Sequence, residues 1–169
     1  MALCITRPEI LFAIHQCASF SIDLKLCHEI AIKRIVHFLK HTENKGLFLM
    51  PDLAAGIKCY VDADFTSAWN TEDSADPSSV YLRTGYIIMY ADCPILWLSR
   101  LQTEIALSTM EAEYIALSQA MWDLIPFMTL VEDVLTILEI KYTVLEVQYK
   151  NSKMLLTADV YEDNRVALE

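Results

Sequence analysis

The feature that most restricts the fold is a change of apolar period part-way along the chain. Before Gly46, apolar side chains recur three and four residues apart: Ile10, Ala13, Ile14 and Cys17, then Cys27, Ile30, Ala31, Ile35, Phe38 and Leu39. That spacing gathers them on one stripe of a helix. It predicts two helices, over residues 8–19 and 24–41, set antiparallel by the short connection between them. Pro8 suits a first helical position, with Thr6 as its cap. From residue 57 the period drops to two. Cys59, Val61, Ala63 and Phe65 fall on one face of a strand over residues 57–66, and Tyr60, Asp62, Asp64 and Thr66 on the other. Gly46 and the stretch from Pro51 to Gly56 separate the two regimes. The chain is therefore expected to divide into a helical segment, 1–56, and a domain of α/β class (α+β, with a mixed sheet), 57–169.

Past a polar loop over residues 69–79, two β-prone runs, 84–91 and 95–101, are separated by Asp92-Cys93-Pro94. They read as a hairpin, which would complete a three-stranded antiparallel meander. Ser108 is a good N-cap and Glu111 stands three residues later, the pattern of a capping box. The helix it opens is expected to end near Trp122, with Pro126 opening a second one that reaches about Leu138. Two further strands, 142–149 and 154–161, are expected around the turn Lys150-Asn151-Ser152-Lys153. Asp163 would close the last of them, and a helix would begin near Asn164.

Composition narrows the function classes. A chain of 169 residues with 54% hydrophobic content can bury a full core and is not disordered. Its five cysteines are scattered, with no C-x-x-C pair, which argues against a disulfide framework and a zinc site. The expectation is a reducing intracellular compartment, cytoplasmic or nuclear, with no secretory signal. The most apolar stretch, residues 86–98, is broken by Asp92 and Pro94, well short of the roughly 18 residues a spanning helix needs, so no membrane partner is expected. The net charge is −10 but unevenly placed. Residues 1–58 hold 7 Lys/Arg against 5 Asp/Glu, and residues 59–169 hold 6 against 18. A chain this acidic should bind nucleic acid weakly by itself. His28-Glu29 lacks a histidine at position 32, and three glycines cannot build a P-loop or G-x-G-x-x-G.

Acidic side chains gathered from strand ends and helix starts are how a protein holds Mg²⁺. The candidates are Asp62 (with Asp64 on the same strand face), Glu113 and Asp163. Glu111 is explained as the capping partner. Glu113 leads a stripe with Leu117 and Ala120, where a carboxylate is costly unless paired or bound to a cation. The alternative is a solvated early-helix residue favoured by the dipole. Asp62 read alone is equally a solvent-facing strand residue, and Asp163 a turn or cap residue.

Taken together these contexts resemble a known family. Tyr60-Val61-Asp62-Ala63-Asp64-Phe65, Arg83-Thr84-Gly85-Tyr86, Ile95-Leu96-Trp97-Leu98-Ser99-Arg100-Leu101-Gln102, Ala106-Leu107-Ser108-Thr109-Met110-Glu111-Ala112-Glu113-Tyr114-Ile115-Ala116 and Tyr161-Glu162-Asp163-Asn164 are similar, in order and spacing, to the RNase H domain that ends copia-type (Pseudoviridae) retrotransposon polyproteins. Residues 5–50, with Thr6-Arg7-Pro8-Glu9-Ile10 and His37-Phe38-Leu39-Lys40-His41-Thr42, look like the stretch joining the reverse transcriptase to that domain.

The resemblance implies an RNase H-like fold and a two-metal nuclease that cleaves the RNA of an RNA/DNA hybrid using Mg²⁺ or Mn²⁺. Asp62, Glu113 and Asp163 would be its catalytic residues and metal ligands, and the reverse transcriptase part of the same polyprotein its partner. Family members complete the site with a fourth acidic residue beyond the last strand, whereas this chain stops at Glu169. Ser67 stands where glycine is common, and Trp122 where a basic residue is frequent. The paired aspartates of the polymerase are absent, because Ala63 separates Asp62 from Asp64. The resemblance therefore implies a truncated domain with weak or no cleavage, the alternative being a non-catalytic remnant or an interaction module.

Overall fold

A computed structural model describes residues 6–22, 24–64, 82–138 and 156–162. The expected strand over 142–149, Asp163 and the helix from Asn164 lie outside them. The chain divides into two compact units, Met1–Phe48 and Leu49–Glu169.

In the first unit a 3₁₀ turn, Pro8–Ile10, leads into helix α1, Leu11–Ser19, and α2 follows over Leu26–His41. The cap position before Pro8 is Arg7 rather than Thr6. Arg7 has a different task, since its guanidinium donates to Thr42 Oγ1 at 2.7 Å and to the Thr42 carbonyl at 3.2 Å, and lies over the Phe38 ring. These contacts fasten the chain entering α1 to the end of α2. At the start of α2, His28 Nδ1 accepts from the Lys25 N–H at 3.1 Å, satisfying a donor that no helical carbonyl can reach.

The second unit is of mixed α/β class. Its four-stranded sheet has the order β3-β2-β1-β4, from β1 (Ile57–Asp64), β2 (Arg83–Tyr90), β3 (Cys93–Leu101) and β4 (Ala158–Glu162). β1, β2 and β3 form the expected antiparallel meander, and β4 runs parallel to β1. The hairpin turn falls on Ala91 and Asp92, not on Asp92-Cys93-Pro94. Both have positive φ, 53° and 59°, as a two-residue type I′ turn requires. Alanine disfavours that region, and neighbouring backbone holds it there: Ala91 N–H donates to the Gly56 carbonyl at 2.8 Å, and its carbonyl accepts from Asp52 N–H at 2.9 Å. Pro94 thus belongs to the edge strand β3. There a bulge offsets the register, from Ile88↔Leu96 to Met89↔Pro94, and the missing proline N–H is tolerated.

Helix α3 runs unbroken over Thr109–Ile137, through Pro126, where two helices were expected. Proline removes one backbone hydrogen bond but does not force a break when packing on both sides favours continuation. Leu124 is 2% exposed on one side, and Phe127 and Met128 pack on the core on the other. At ~1.5 Å per residue the helix far outreaches the eight-residue strands beneath it. Ala112, Ala116 and Ala120, each four residues apart and fully buried, let it approach the sheet closely. They pack on Ile57, Cys59, Val61 and Ala63 of β1 and on Tyr86 and Ile88 of β2. The period-two pattern read from the sequence is this core face.

Candidate functional site

The carboxyl ends of β1 and β4 converge on the acidic residues. In this parallel pair the last register partners are Val61 and Glu162, and the next residues in sequence are Asp62 and Asp163. Asp163 itself lies outside the described residues. Because Cys59, Val61 and Ala63 are buried under α3, the pleat turns Asp62 to the opposite face, where it is exposed. Tyr60 and Tyr161 share that face, their rings stacked at 4.9 Å and 14°. Opposite Asp62 on β2 stands Gly85, so no side chain crowds it from that strand. Asp64 pairs in register with Arg83, whose guanidinium is buried. Burial lowers the pKa of Arg83, and the negative charge of Asp64 works against that shift.

The start of α3 is fixed to the same end of the sheet. Gln102 Nε2 donates to the Ala112 carbonyl at 2.9 Å and to Thr84 Oγ1 at 3.1 Å, and Thr84 is the register partner of Ala63. Glu113, the next residue, is 6% exposed in the layer between helix and sheet. It is not a solvated early-helix residue. Glu111 is the cap residue, as its spacing implied: Ser108 Oγ accepts from Glu111 N–H at 3.1 Å. Its carboxylate returns to Leu107 N–H at 2.7 Å, one residue before the cap position.

Sequence reasoning missed Glu162. Its carboxylate oxygens are shielded from solvent, and as partner of Val61 it points to the helix-covered face. The signal was present, since Val160 and Glu162 alternate with Tyr161. Glu113 and Glu162 thus lie on the helix side of the sheet and Asp62 on the other. Among the described residues no three His, Cys, Asp or Glu side chains are grouped to hold a metal ion. Carboxylate oxygens are the donors Mg²⁺ takes, and the described part supplies two of the three residues named from the sequence, Asp62 and Glu113.

Comparison with known proteins gives the origin of the chain. It is 32% identical over 112 residues to the retrovirus-related Pol polyprotein from transposon RE1 of Arabidopsis thaliana, and 32% over 118 residues to that from transposon TNT 1-94 of Nicotiana tabacum. It is also 31% identical over 116 residues to the secreted RxLR effector protein 161 of Plasmopara viticola, of which the match covers 76%. The Pol matches cover 66% and 70% of this chain but 7% and 8% of those polyproteins. The chain is thus of retrotransposon origin and resembles a small part of a copia-type polyprotein. No family model matches it, and no solved structure does. Among the described residues no helix is long and apolar enough to cross a membrane.

Proposed function

We propose that this chain is the RNase H-type part of a copia-type polyprotein, with Asp62, Glu113 and Asp163 as the residues that hold Mg²⁺ or Mn²⁺ and act on the RNA strand of an RNA/DNA hybrid. The observation that supports the reading is that the end of β1 bearing Asp62, the pinned helix start bearing Glu113 and the strand that leads into Asp163 lie at the same end of the sheet, with Asp62 and Glu113 on its two faces. Ligand sites in sheets of this kind form outside the carboxyl ends of parallel strands. Bound there, divalent ions would supply an activated water and a stabilised leaving oxygen. Asp62 is exposed on the face away from α3 and Glu113 is a buried carboxylate, and carboxylate oxygens are the donors such ions take. Recognition of the hybrid would rest on its shape and its 2′-hydroxyls. The reverse transcriptase part of the polyprotein is the proposed partner that brings the hybrid to so acidic a domain.

One finding favours a second reading, a non-catalytic interaction module: one relative of which the chain covers 76% is named as an effector. The test is cleavage of a labelled RNA/DNA hybrid by the 169-residue chain in Mg²⁺ and in Mn²⁺, beside Asp62→Asn, Glu113→Gln and Asp163→Asn. Weak cleavage removed by each substitution supports the nuclease. Absence of cleavage in both metals supports the module.

A further inference from the structure

A cleft of about 520 Å³ opens between α3 and the β3 side of the sheet, and neither Asp62 nor Glu113 lines it. Tyr114, Ser118 and Trp122, four residues apart on α3, form one wall, with Leu98 and Arg100 of β3 opposite. Tyr86 lies deepest. It is 6% exposed, and its hydroxyl donates to the carboxylate of Asp123 in a short hydrogen bond. Burial, and then that bond, raise the Tyr86 pKa above its ordinary value, so the phenol stays protonated and holds Asp123 in place.

Three independent observations define what this cleft can take. Its charges do not balance: Glu104, Glu111 and Asp123 stand against Arg100, and among the described residues Arg100 makes no ion pair. Its rim is aromatic, with Trp122 78% exposed and Tyr114 47% exposed, and ring faces attract cations. In its wall the side-chain oxygen of Gln119 is shielded from water and has no hydrogen-bond partner, an acceptor with nothing donating to it. An anion would meet three carboxylates here. A flat cation rich in N–H donors would meet two aromatic faces, the second oxygen of Asp123 and the Gln119 carbonyl.

We propose that this cleft binds the guanidinium of an arginine side chain carried by a basic protein segment. The indole of Trp122 covers the guanidinium, Asp123 pairs with it, and Gln119 accepts one of its hydrogens. The acidic balance of residues 59–169, 6 Lys/Arg against 18 Asp/Glu, draws such a segment in from a distance.

The test is an NMR titration of the ¹⁵N-labelled 169-residue chain, following the indole N–H signals of its three tryptophans. The Trp122→Phe variant identifies the signal to follow. Agmatine and an alternating arginine–glycine peptide are the probes, each at constant ionic strength. The Trp122 signal should shift saturably with both and at lower concentration with the peptide. Asp123→Asn, which keeps an acceptor for Tyr86, should weaken binding about tenfold, the loss of one charge-assisted bond. Trp122→Ala should weaken it too, read from backbone amide signals along α3, without changing the thermal midpoint. Shifts matched by NaCl, equal affinity in Asp123→Asn, or saturable binding of inorganic phosphate at this signal would each overturn the proposal. Tighter binding of agmatine than of the peptide would overturn its assignment to a protein segment.

Discussion

Gln102, 2% exposed, donates from one amide nitrogen to the carbonyl of Ala112 at 2.9 Å and to Thr84 Oγ1 at 3.1 Å. Both acceptors belong to fully buried residues, so water cannot replace the bond. This one side chain sets the height of the α3 start, and hence of Glu113, against β1 and β2. Gln102→Leu keeps the volume and removes the donors. It should lower the unfolding free energy by about 2 kcal/mol, the cost of stranding buried acceptors, measured by urea denaturation. An unchanged midpoint would show that the helix start is held by packing alone.

The helix cap and the neighbouring carboxylates separate by role. Ser108→Ala should cost about 1 kcal/mol and Ser108→Asp almost nothing, since aspartate can also accept from Glu111 N–H. Glu111→Gln keeps an acceptor for Leu107 N–H and should leave metal-dependent behaviour intact. Glu113→Gln should abolish it. The readout is the thermal midpoint with and without Mg²⁺: a wild-type rise kept by Glu111→Gln and lost in Glu113→Gln and Asp62→Asn separates cap from ligand. A rise retained in Glu113→Gln would remove that residue from the site.

Much of the sheet was legible because one face is buried, which writes the core into alternate positions such as Cys59, Val61 and Ala63. The errors have local physical causes. The turn falls one residue before its sequence signal because Ala91 is not a residue that signals positive φ, and the backbone bonds to Asp52 and Gly56 that hold it come from a distant segment. Pro126 carries the sequence signal of a helix start because propensity carries no knowledge of the packing by Leu124 and Phe127 on either side. Of the site, Asp62 and Glu113 could be named from their contexts. That they fall on opposite sides of the sheet depends on the order β2-β1-β4 and the placing of α3, which no single segment encodes.

Pro126 offers a direct check on helix continuity. It sits exposed inside a 29-residue helix whose backbone runs through it. Pro126→Ala restores an N–H and removes the ring's clash with the preceding turn. Stability should rise by about 1–3 kcal/mol, a part of the intrinsic penalty of proline in a helix interior. Circular dichroism at 222 nm should change little, because the helix already exists. A large gain in helical signal would mean that two separate helices had been joined by the substitution.

Stability should fall in alkali for a reason located in the core. Cys59 is fully buried on the core face of β1, and burial pushes its thiol up to about 11, against an ordinary value of 9.0. Tyr86 is raised as well, first by burial and then by its bond to Asp123. Both groups are neutral when protonated, and the fold favours that form. In the unfolded chain the thiol ionises near its ordinary value, so between pH 9 and 11 the unfolded state binds fewer protons than the folded one. The contribution of Cys59 is complete below about pH 9 and is lost as pH rises through its folded pKa, with Tyr86 adding to the loss above about pH 10. Urea midpoints measured from pH 7 to 11 should therefore decline above pH 9, by on the order of 1–2 kcal/mol for the thiol. Cys59→Ala should lower stability at pH 7 by leaving a small cavity, yet flatten the alkaline slope. Combining it with Tyr86→Phe should flatten it further. A slope identical in all three proteins would place the alkaline sensitivity outside this core.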